Sequence, residues 1–223
     1  MTFGGGFGRV FRPAFDPGLT ALPWYRAGGA PLPVAAYQPK GASSLAASYV
    51  NLANPGTYDA APGVAPTLDA NGWAFDGTQY LDTGYAPSHP ASMIVRFSNA
   101  TSDGDVLIGS STSVQWEWFA LVVRYYSERF YAYHPTYITI TDLQTSGVVA
   151  ITPERGYLNG APEGAAINET ALGVQRTIYI ASVNETQTGS ERRMAVSIQA
   201  VAIYNATLTA LQVAAVSAAM ALI

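Results

Sequence analysis

The sequence predicts an all-β protein: an antiparallel β-sandwich of the jelly-roll type with an extended N-terminal arm and a short C-terminal helix. From Trp73 onward, short apolar or alternating runs follow one another at regular spacing, with glycine, proline and asparagine turn signals between them. Hydrophobic residues make up 49% of the 223 residues and charged residues only 12%, which is enough apolar material for a large core. Cysteine is absent, so this core rather than disulfides must hold the fold.

The closely spaced strands of the sandwich are expected to begin at the stretch Gly72–Tyr85. It holds two apolar runs on either side of Asp76-Gly77, a dipeptide that favours a tight turn. Asp76 and Asp82 are interpreted as turn formers rather than catalytic or metal groups. We divide the chain into an arm, residues 1–31, and a sandwich, residues 32–223.

About ten short strands are expected in the sandwich. Asn159-Gly160 predicts a type I′ hairpin, because both residues tolerate positive φ angles. Turns are predicted at Asn54-Pro55-Gly56 and Ala61-Pro62-Gly63, and a brief helix within residues 43–53, capped by Ser43 or Ser44. The predicted strands are Val34–Tyr37, Trp73–Phe75, Gln79–Thr83, Ser92–Phe97, Val106–Ile108, Val114–Arg124, Arg129–Tyr133, Tyr137–Thr141, Gly147–Ile151, Gly156–Leu158, Thr177–Val183 and Met194–Tyr204.

The last strand has the clearest alternation and leads into the only extended helical pattern. Its apolar residues at even positions, from Met194 to Tyr204, are expected to share one face. The helix is predicted over Leu208–Leu222, with Asn205 or Thr207 as its cap. This apolar run is shorter than the roughly 20 residues of a spanning helix, so we expect it to pack on the domain.

An N-terminal arm is expected over residues 1–31, where glycine and proline recur too often for a long helix or a central strand. Disordered tails are poor in aromatic residues, whereas this segment is rich in them. We therefore expect it to lie against a surface, either its own sandwich or a neighbouring subunit. The aromatic residues that would make this docking contact are Phe3, Phe7, Phe11, Phe15, Trp24 and Tyr25.

Several motifs in the same order resemble the laminin-G-like jelly rolls of the concanavalin A-like superfamily. Trp73-Ala-Phe-Asp-Gly followed by Tyr80-Leu81 is similar to the family's F-D-G and Y-L motifs. Tyr157-Leu-Asn-Gly resembles its Y-V-N-G hairpin, and Ile203-Tyr-Asn-Ala-Thr-Leu-Thr its closing strand and turn into a helix. The resemblance covers roughly residues 32–220. It implies the sandwich fold and says little about the ligand, because this fold hosts many functions.

The sequence argues against an enzyme. Glycoside hydrolases of this superfamily place two carboxylates close together on one strand, but Glu117 has no second acid two or four residues away. The histidines His89 and His134 show no metal-ligand spacing, and no G-x-S-x-G motif is present.

No cofactor is expected, although laminin-G-like domains sometimes hold Ca²⁺ at a loop rim. The acid groupings suited to this hard cation are Asp103-Gly-Asp105 and Asp82, and a solvated polar turn is the simpler interpretation.

A cluster of aromatic residues between Trp116 and Tyr137 offers a surface on which sugar rings could stack. The candidate glycan-binding residues are Trp116, Trp118, Tyr125, Tyr131 and Tyr133. Residues 116–124 are apolar on both strand faces, which is more typical of a strand buried on both sides or of a subunit interface.

Three functions remain, of which a glycoside hydrolase relative is the least favoured because a second carboxylate is missing at the required spacing. The first is a non-enzymatic structural, decoration or adhesion protein on a virion surface, in particular of a phage, docking to other subunits as a homo-oligomer or as a capsid or tail protein. Its basis is a chain that begins with Met without a secretion signal, the aromatic arm and the tyrosine-rich sandwich. The alternative is a glycan-binding module on a virion or cell surface. A net charge of −4 argues against a basic nucleic-acid surface.

Overall fold

The computed structural model describes residues 22–101, 105–112, 117–125, 128–133, 136–173, 175–185 and 192–223, with the side chains of Tyr125 and Phe130 left out. A 3₁₀ helix, Trp24–Gly29, comes first. The strands and helices, in chain order, are β1 (Ala35–Tyr37), α1 (Leu45–Ser48), β2 (Ala61–Val64), β3 (Thr67–Asp69), β4 (Gly72–Asp76), β5 (Tyr80–Asp82), β6 (Ser92–Ser98), β7 (Ile108–Ser111), β8 (Trp118–Tyr125), β9 (Glu128–Tyr133), β10 (Thr136–Ile140), β11 (Gly147–Ile151), β12 (Gly156–Leu158), β13 (Ala161–Glu163), β14 (Tyr179–Ile180), β15 (Val183–Asn184), β16 (Ala195–Tyr204) and α2 (Ala210–Ala221).

The strands form two sheets that pack face to face, which confirms the predicted β-sandwich. The first sheet has the order β13-β12-β11-β6-β16-β4-β3, with β1 also paired to β16. The second has the order β10-β9-β8-β7-β14-β5-β2, with β15 also paired to β7. Among the described strands every pair is antiparallel except β15 with β7.

Within the stretch Gly72–Tyr85 the chain passes from the first sheet to the second. β4 belongs to the first sheet and β5 to the second, and the turn between them is held by the Asp76 carboxylate, which accepts hydrogen bonds from Thr78 N at 2.8 Å and Thr78 Oγ1 at 2.7 Å. The indole of Trp73 lies in the core between the sheets and donates to Ser48 Oγ at 2.6 Å. The interpretation of Asp76 as a turn former is confirmed.

The predicted hairpin at Asn159-Gly160 is also confirmed. Both residues have positive φ, 51° and 82°, and Leu158 pairs directly with Ala161, so the loop is a two-residue type I′ turn. This hairpin adds β13, the edge strand of the first sheet.

The alternation predicted for the last strand is wrong in its second half. A bulge between Ile198 and Ala200 shifts the register of β16 against β6. Before the bulge, Val196 and Ile198 face the core between the sheets; after it, Val201 and Ile203 do so. The even residues after the bulge, Ala200, Ala202 and Tyr204, therefore face the helix instead.

Helix α2 covers the outer face of the first sheet and gives the molecule a third layer. It begins at Ala210, two residues later than predicted, because Thr209 and Gln212 form a capping box; the predicted caps Asn205 and Thr207 are wrong. Val213, Val216 and Met220 pack on the sheet with the 3₁₀ helix beside them. No helix among the described residues is long and apolar enough to cross a membrane.

Other differences concern short, exposed segments. Ala61–Val64 is the strand β2 rather than a turn, because an edge strand tolerates Pro62 in a way that a central strand does not. The strand β3 was not predicted. The predicted strand Thr177–Val183 divides into β14 and β15, since Ala181 has a positive φ of 60°. The cap Ser44 is confirmed, with its side chain accepting from Ala47 N.

Candidate functional site

The predicted sugar-stacking residues do not form an exposed surface. Trp118, Tyr131 and Tyr133 are almost completely buried, so a glycan could not stack on their rings, and this part of the prediction is corrected. β8 is apolar on both faces because it is covered on both faces. Trp116 and the side chain of Tyr125 lie outside the described residues.

Each of these buried rings has a structural role. Trp118 packs on the outer face of the second sheet with Val122 and Ala132, beneath the guanidinium of Arg192 at 5.0 Å from its ring centroid. Tyr131 donates from its hydroxyl to Tyr157 O at 3.1 Å.

The hydroxyl of Tyr133 accepts from Ala91 N at 3.2 Å and lies 3.1 Å from His89 Nδ1. Burial raises the pKa of Tyr133 to about 12. These contacts bring β9 together with the segment that leads into β6.

The predicted docking residues divide into two groups. Phe3, Phe7, Phe11 and Phe15 lie outside the described residues. Trp24 and Tyr25 are half-buried against the sandwich: Trp24 Nε1 donates to Gln38 Oε1 at 2.9 Å, and Tyr25 O accepts from Tyr204 Oη at 2.7 Å.

The calcium candidates are not brought into a ligand set in the described part of the chain. Asp103 lies outside it, and Asp105 forms a backbone bridge with Arg124. Within the described ranges, no group of three or more histidine, aspartate or glutamate side chains could hold a metal ion.

A different group of tyrosines lies where the second sheet ends at β5, β14 and β2. We call this group the tyrosine rim; it consists of Tyr58, Tyr80, Tyr85 and Tyr179. The rings of Tyr80 and Tyr179 lie 4.8 Å apart with an interplanar angle of 33°, and those of Tyr58 and Tyr85 lie 5.3 Å apart at 68°. Tyr58 is 40% exposed, whereas Tyr80 and Tyr179 are half-buried.

One glycine allows a ring of the rim to lie close to the backbone. A Cβ at Gly63 would come within 2.0 Å of the Tyr80 ring, so that ring lies directly over β2. Gly84 is suited instead by its backbone conformation, with a positive φ of 68°. The position of the Tyr80 ring therefore depends on the missing side chain at Gly63.

Charged groups border the tyrosine rim on both sides. Arg193 lies 5.0 Å from the Tyr80 ring centroid and donates to Thr78 O at 2.9 Å. Asp82 pairs with Tyr179 across the strands, and its carboxylate accepts from Gly84 N at 2.8 Å, which confirms it as a turn former.

A second carboxylate, Asp59, accepts from Asn51 N and Gly56 N and holds the loop that carries Tyr58. Burial, and then the charges of Asp59 and Asp82, raise the pKa of Tyr37, whose hydroxyl donates to Tyr58 O. Both carboxylates are therefore close to the base of the rim.

Sequence reasoning missed the tyrosine rim because its members come from segments far apart in the chain. The sequence marked Tyr80 only as a strand residue and did not single out Tyr58 or Tyr179. The pairings of β14 with β5, and of β5 with β2, bring these segments together.

Several solved structures that share this fold belong to an arabinanase and to sialidases. Domain 4 of AbnA, a GH43 extracellular arabinanase from Geobacillus stearothermophilus solved in complex with arabinotriose, matches with a TM-score of 0.60 and 15% identity over 83% of this chain and 98% of that one. A Trypanosoma rangeli sialidase in complex with sialic acid matches with a TM-score of 0.53 and 12% identity over 84% of this chain and 33% of that one. A mutant of that sialidase displaying trans-sialidase activity matches with a TM-score of 0.55, 13% identity and coverage of 86% and 34%.

At these identities the likeness shows the fold alone, and the chain spans about a third of the length of the sialidases. It confirms the resemblance to jelly-roll domains at the level of a β-sandwich. No protein-family model and no curated protein sequence matches the chain.

Proposed function

We propose that the protein is a non-enzymatic glycan-binding module and that the tyrosine rim is its binding surface. The observation that carries the proposal is the close pair of rings of Tyr80 and Tyr179, 4.8 Å apart, with Asp82 opposite Tyr179 across the strands and Tyr58 exposed in the loop before β2. Sugar recognition requires flat apolar surfaces for the C–H faces of the ring and nearby polar groups for the hydroxyls. The rim supplies both kinds of group within a few residues of one another.

The structural neighbours add limited support. Domain 4 of the arabinanase was solved with arabinotriose and shares this fold along nearly its whole length, so an arabinan oligosaccharide is a sensible first probe. Sialosides are the second probe, because a sialidase was solved with sialic acid. Fold alone does not identify a ligand, so both sugars are compared in the same titration.

The absence of catalysis is part of the proposal. Glycoside hydrolysis requires one carboxyl group as general acid and another as base or nucleophile. At the rim, the Asp59 carboxylate accepts from two backbone N–H groups and Asp82 accepts from Gly84 N, so both already hold turns.

The experiment is a titration of arabinotriose and sialyllactose followed by calorimetry, with Tyr58→Ala and Tyr179→Ala as test variants. We expect either variant to weaken binding about ten-fold or more, because an aromatic contact in a small-ligand site contributes on the order of 1 kcal/mol or more. The matched control is Tyr137→Ala, a ring that is 64% exposed on β10 at the opposite end of the second sheet. Undiminished binding in both rim variants, or no binding to either sugar or to a broad glycan array, would count against the proposal.

A role on a virion surface, with docking to other subunits, stays a prediction from the sequence. Neither the described residues nor the structural neighbours bear on it. Its test is deletion of residues 1–21, which keeps the packed 3₁₀ helix and should leave a folded sandwich that no longer associates with particles; full incorporation of the truncated chain would contradict it.

A further inference from the structure

The sequence contains two Asn-Gly dipeptides, and both lie in hairpin turns of the first sheet. Asn71-Gly72 lies between β3 and β4, and Asn159-Gly160 lies between β12 and β13. Asparagine before glycine is prone to spontaneous deamidation, because glycine has no Cβ to hinder the approach of its backbone nitrogen to the asparagine side chain. Both asparagines are exposed, so exposure does not distinguish them. Their hydrogen bonds and the packing of their turns do.

Asn159 is held on both its side chain and its backbone. Its Oδ1 accepts from Val148 N at 3.0 Å, and its N donates to Val148 O at 2.7 Å. The next residue is fixed by packing, because a Cβ at Gly160 would lie 2.9 Å from Ala214 Cα in α2. A reaction of the Asn159 side chain therefore requires this hairpin to leave both β11 and the helix.

The side chain of Asn71 is not held in this way. It forms no hydrogen bond within the described part of the chain, while its backbone N donates to Asp69 Oδ1 at 2.6 Å. The preceding strand β3 has only three residues, all exposed or half-buried, and is the last strand at its edge of the sheet. A short, exposed edge strand opens locally at a low cost in free energy. Because Gly72 pairs with Asp69, opening of β3 frees the backbone nitrogen of Gly72.

We propose that Asn71 is a site of spontaneous deamidation in the folded protein, with water as the co-reactant, and that the fold protects Asn159. The backbone nitrogen of Gly72 bonds to Cγ of Asn71, and the side-chain nitrogen leaves as ammonia together with the glycine N–H proton. Water then adds to one of the two carbonyl carbons of the resulting succinimide and opens the ring to aspartate or isoaspartate. No atom changes its oxidation state overall. This inference is independent of glycan binding.

The surroundings of Gly72 determine how the fold responds to isoaspartate. An isoaspartate leads the main chain through its Cβ and so lengthens the connection between β3 and β4 by one carbon atom. Gly72 cannot shift to absorb it, because a Cβ there would already lie 2.2 Å from Ile198 O and 3.2 Å from Lys40 N. The strand β3 therefore has to move, and it loses its pairing with β4.

The test follows both dipeptides in the unchanged chain, incubated at mildly alkaline pH either folded or unfolded in urea. Peptide mapping by mass spectrometry localises the increase of about 1 Da that accompanies loss of ammonia and gain of water. Enzymatic methylation detects isoaspartate. Asn159 is the internal control, since it has the same dipeptide chemistry in the same sample. Asn71→Ser removes the proposed site.

We expect Asn71 to deamidate at least about ten-fold faster than Asn159 in the folded chain, because opening the turn at Asn159 also breaks its bonds to Val148 and its packing on α2. In urea the two rates should be similar. Asn71→Ser should remove most of the isoaspartate formed by the folded chain. Equal rates at the two dipeptides in the folded chain would overturn the proposal, and so would an unmodified Asn71 over a period in which the unfolded chain reacts at both.

A second measurement tests the structural consequence. The modified chain, separated by its added negative charge on an ion-exchange column, should exchange the backbone amide hydrogens of β3 faster than the unmodified chain. Unchanged exchange in β3 would overturn the predicted loss of pairing.

Discussion

The Arg129 guanidinium, on β9, forms a bidentate pair with the Glu163 carboxylate, on β13, and so joins an inner strand of one sheet to the edge of the other. Nε lies 3.2 Å from Oε2 and Nη2 lies 2.5 Å from Oε1, and the Tyr131 hydroxyl donates to the same carboxylate at 3.0 Å. Burial alone would lower the pKa of Arg129, but the bonds to Glu163 and Asp142 outweigh it and raise that pKa. The buried charge of Arg129, whose side chain is 1% exposed, is therefore compensated mainly by this partner.

Glu163→Gln should destabilise the fold by about 2–4 kcal/mol, because it leaves a buried guanidinium without its main counter-charge. The free energy of unfolding in urea measures this. Asp142→Asn is the matched control, since the Asp142 side chain is 57% exposed and such a partner contributes at most about 1 kcal/mol. Equal losses in the two variants would mean that Glu163 is not the dominant partner.

Gly160→Ala should cost more stability than Gly41→Ala, although both glycines have the same φ of 82°. The backbone strain of about 1–2 kcal/mol is common to the two positions. At Gly160 the new Cβ would also lie 2.9 Å from Ala214 Cα in α2, whereas nothing lies within 4 Å at Gly41. We expect Gly160→Ala to cost about 1–3 kcal/mol more than Gly41→Ala, for overpacking against the helix.

Thermal unfolding of the two alanine variants in parallel tests this difference. A larger loss at Gly41 than at Gly160 would show that the hairpin does not press against α2 in solution.

Deletion of Gln199 should abolish the folded state. The bulge at this residue switches β16 from even to odd core positions, so removing one residue would place either Val196 and Ile198 or Val201 and Ile203 on the wrong face. Gln199→Ala keeps the residue count and should cost about 1 kcal/mol or less. The dispersion of amide signals in an NMR spectrum distinguishes the two outcomes, and a well-folded deletion variant would refute the role of the bulge.

Stability should fall between about pH 10 and pH 12, partly because of Tyr133. Its pKa is raised from 10.0 to about 12 by burial, so the folded chain keeps this phenol protonated while the unfolded chain ionises. The contribution is complete below pH 10 and is lost as the pH rises toward 12. For a shift of this size the loss is about 2–3 kcal/mol.

Tyr133→Phe should lower the free energy of unfolding at pH 8 by about 1 kcal/mol, because Ala91 N loses its acceptor. Between pH 10 and 12, the free energy of unfolding of this variant should fall by less than that of the unchanged chain. Urea unfolding across this range is the measurement, with Tyr137→Phe as the exposed control. An alkaline loss of the same size with and without the Tyr133 hydroxyl would contradict the assignment.

Local chemistry explains which elements could be predicted from the sequence. Asn159-Gly160 specifies its own turn, and the doubly apolar pattern of residues 118–123 specifies a strand buried on both faces. The bulge in β16 could not be predicted, because the even residues after it, Ala200, Ala202 and Tyr204, are as apolar as the odd ones, so periodicity does not show the change of face.

The candidate site was less accessible to sequence reasoning than the fold. The aromatic cluster around Trp118 is dense in sequence but buried in the structure. The residues of the tyrosine rim are far apart in the sequence and come together only when β2, β5 and β14 pair. No local sequence pattern encodes this long-range pairing.

Pro62 and Pro162 occupy corresponding places in the architecture: β2 is the last strand at one edge of the second sheet, and β13 is the last at one edge of the first. A proline has no N–H to offer to an approaching strand. At each of these two edges the row of N–H donors is therefore interrupted, so another extended chain pairs with it less readily. This interruption protects a cysteine-free, strand-rich protein from ordered aggregation at high concentration.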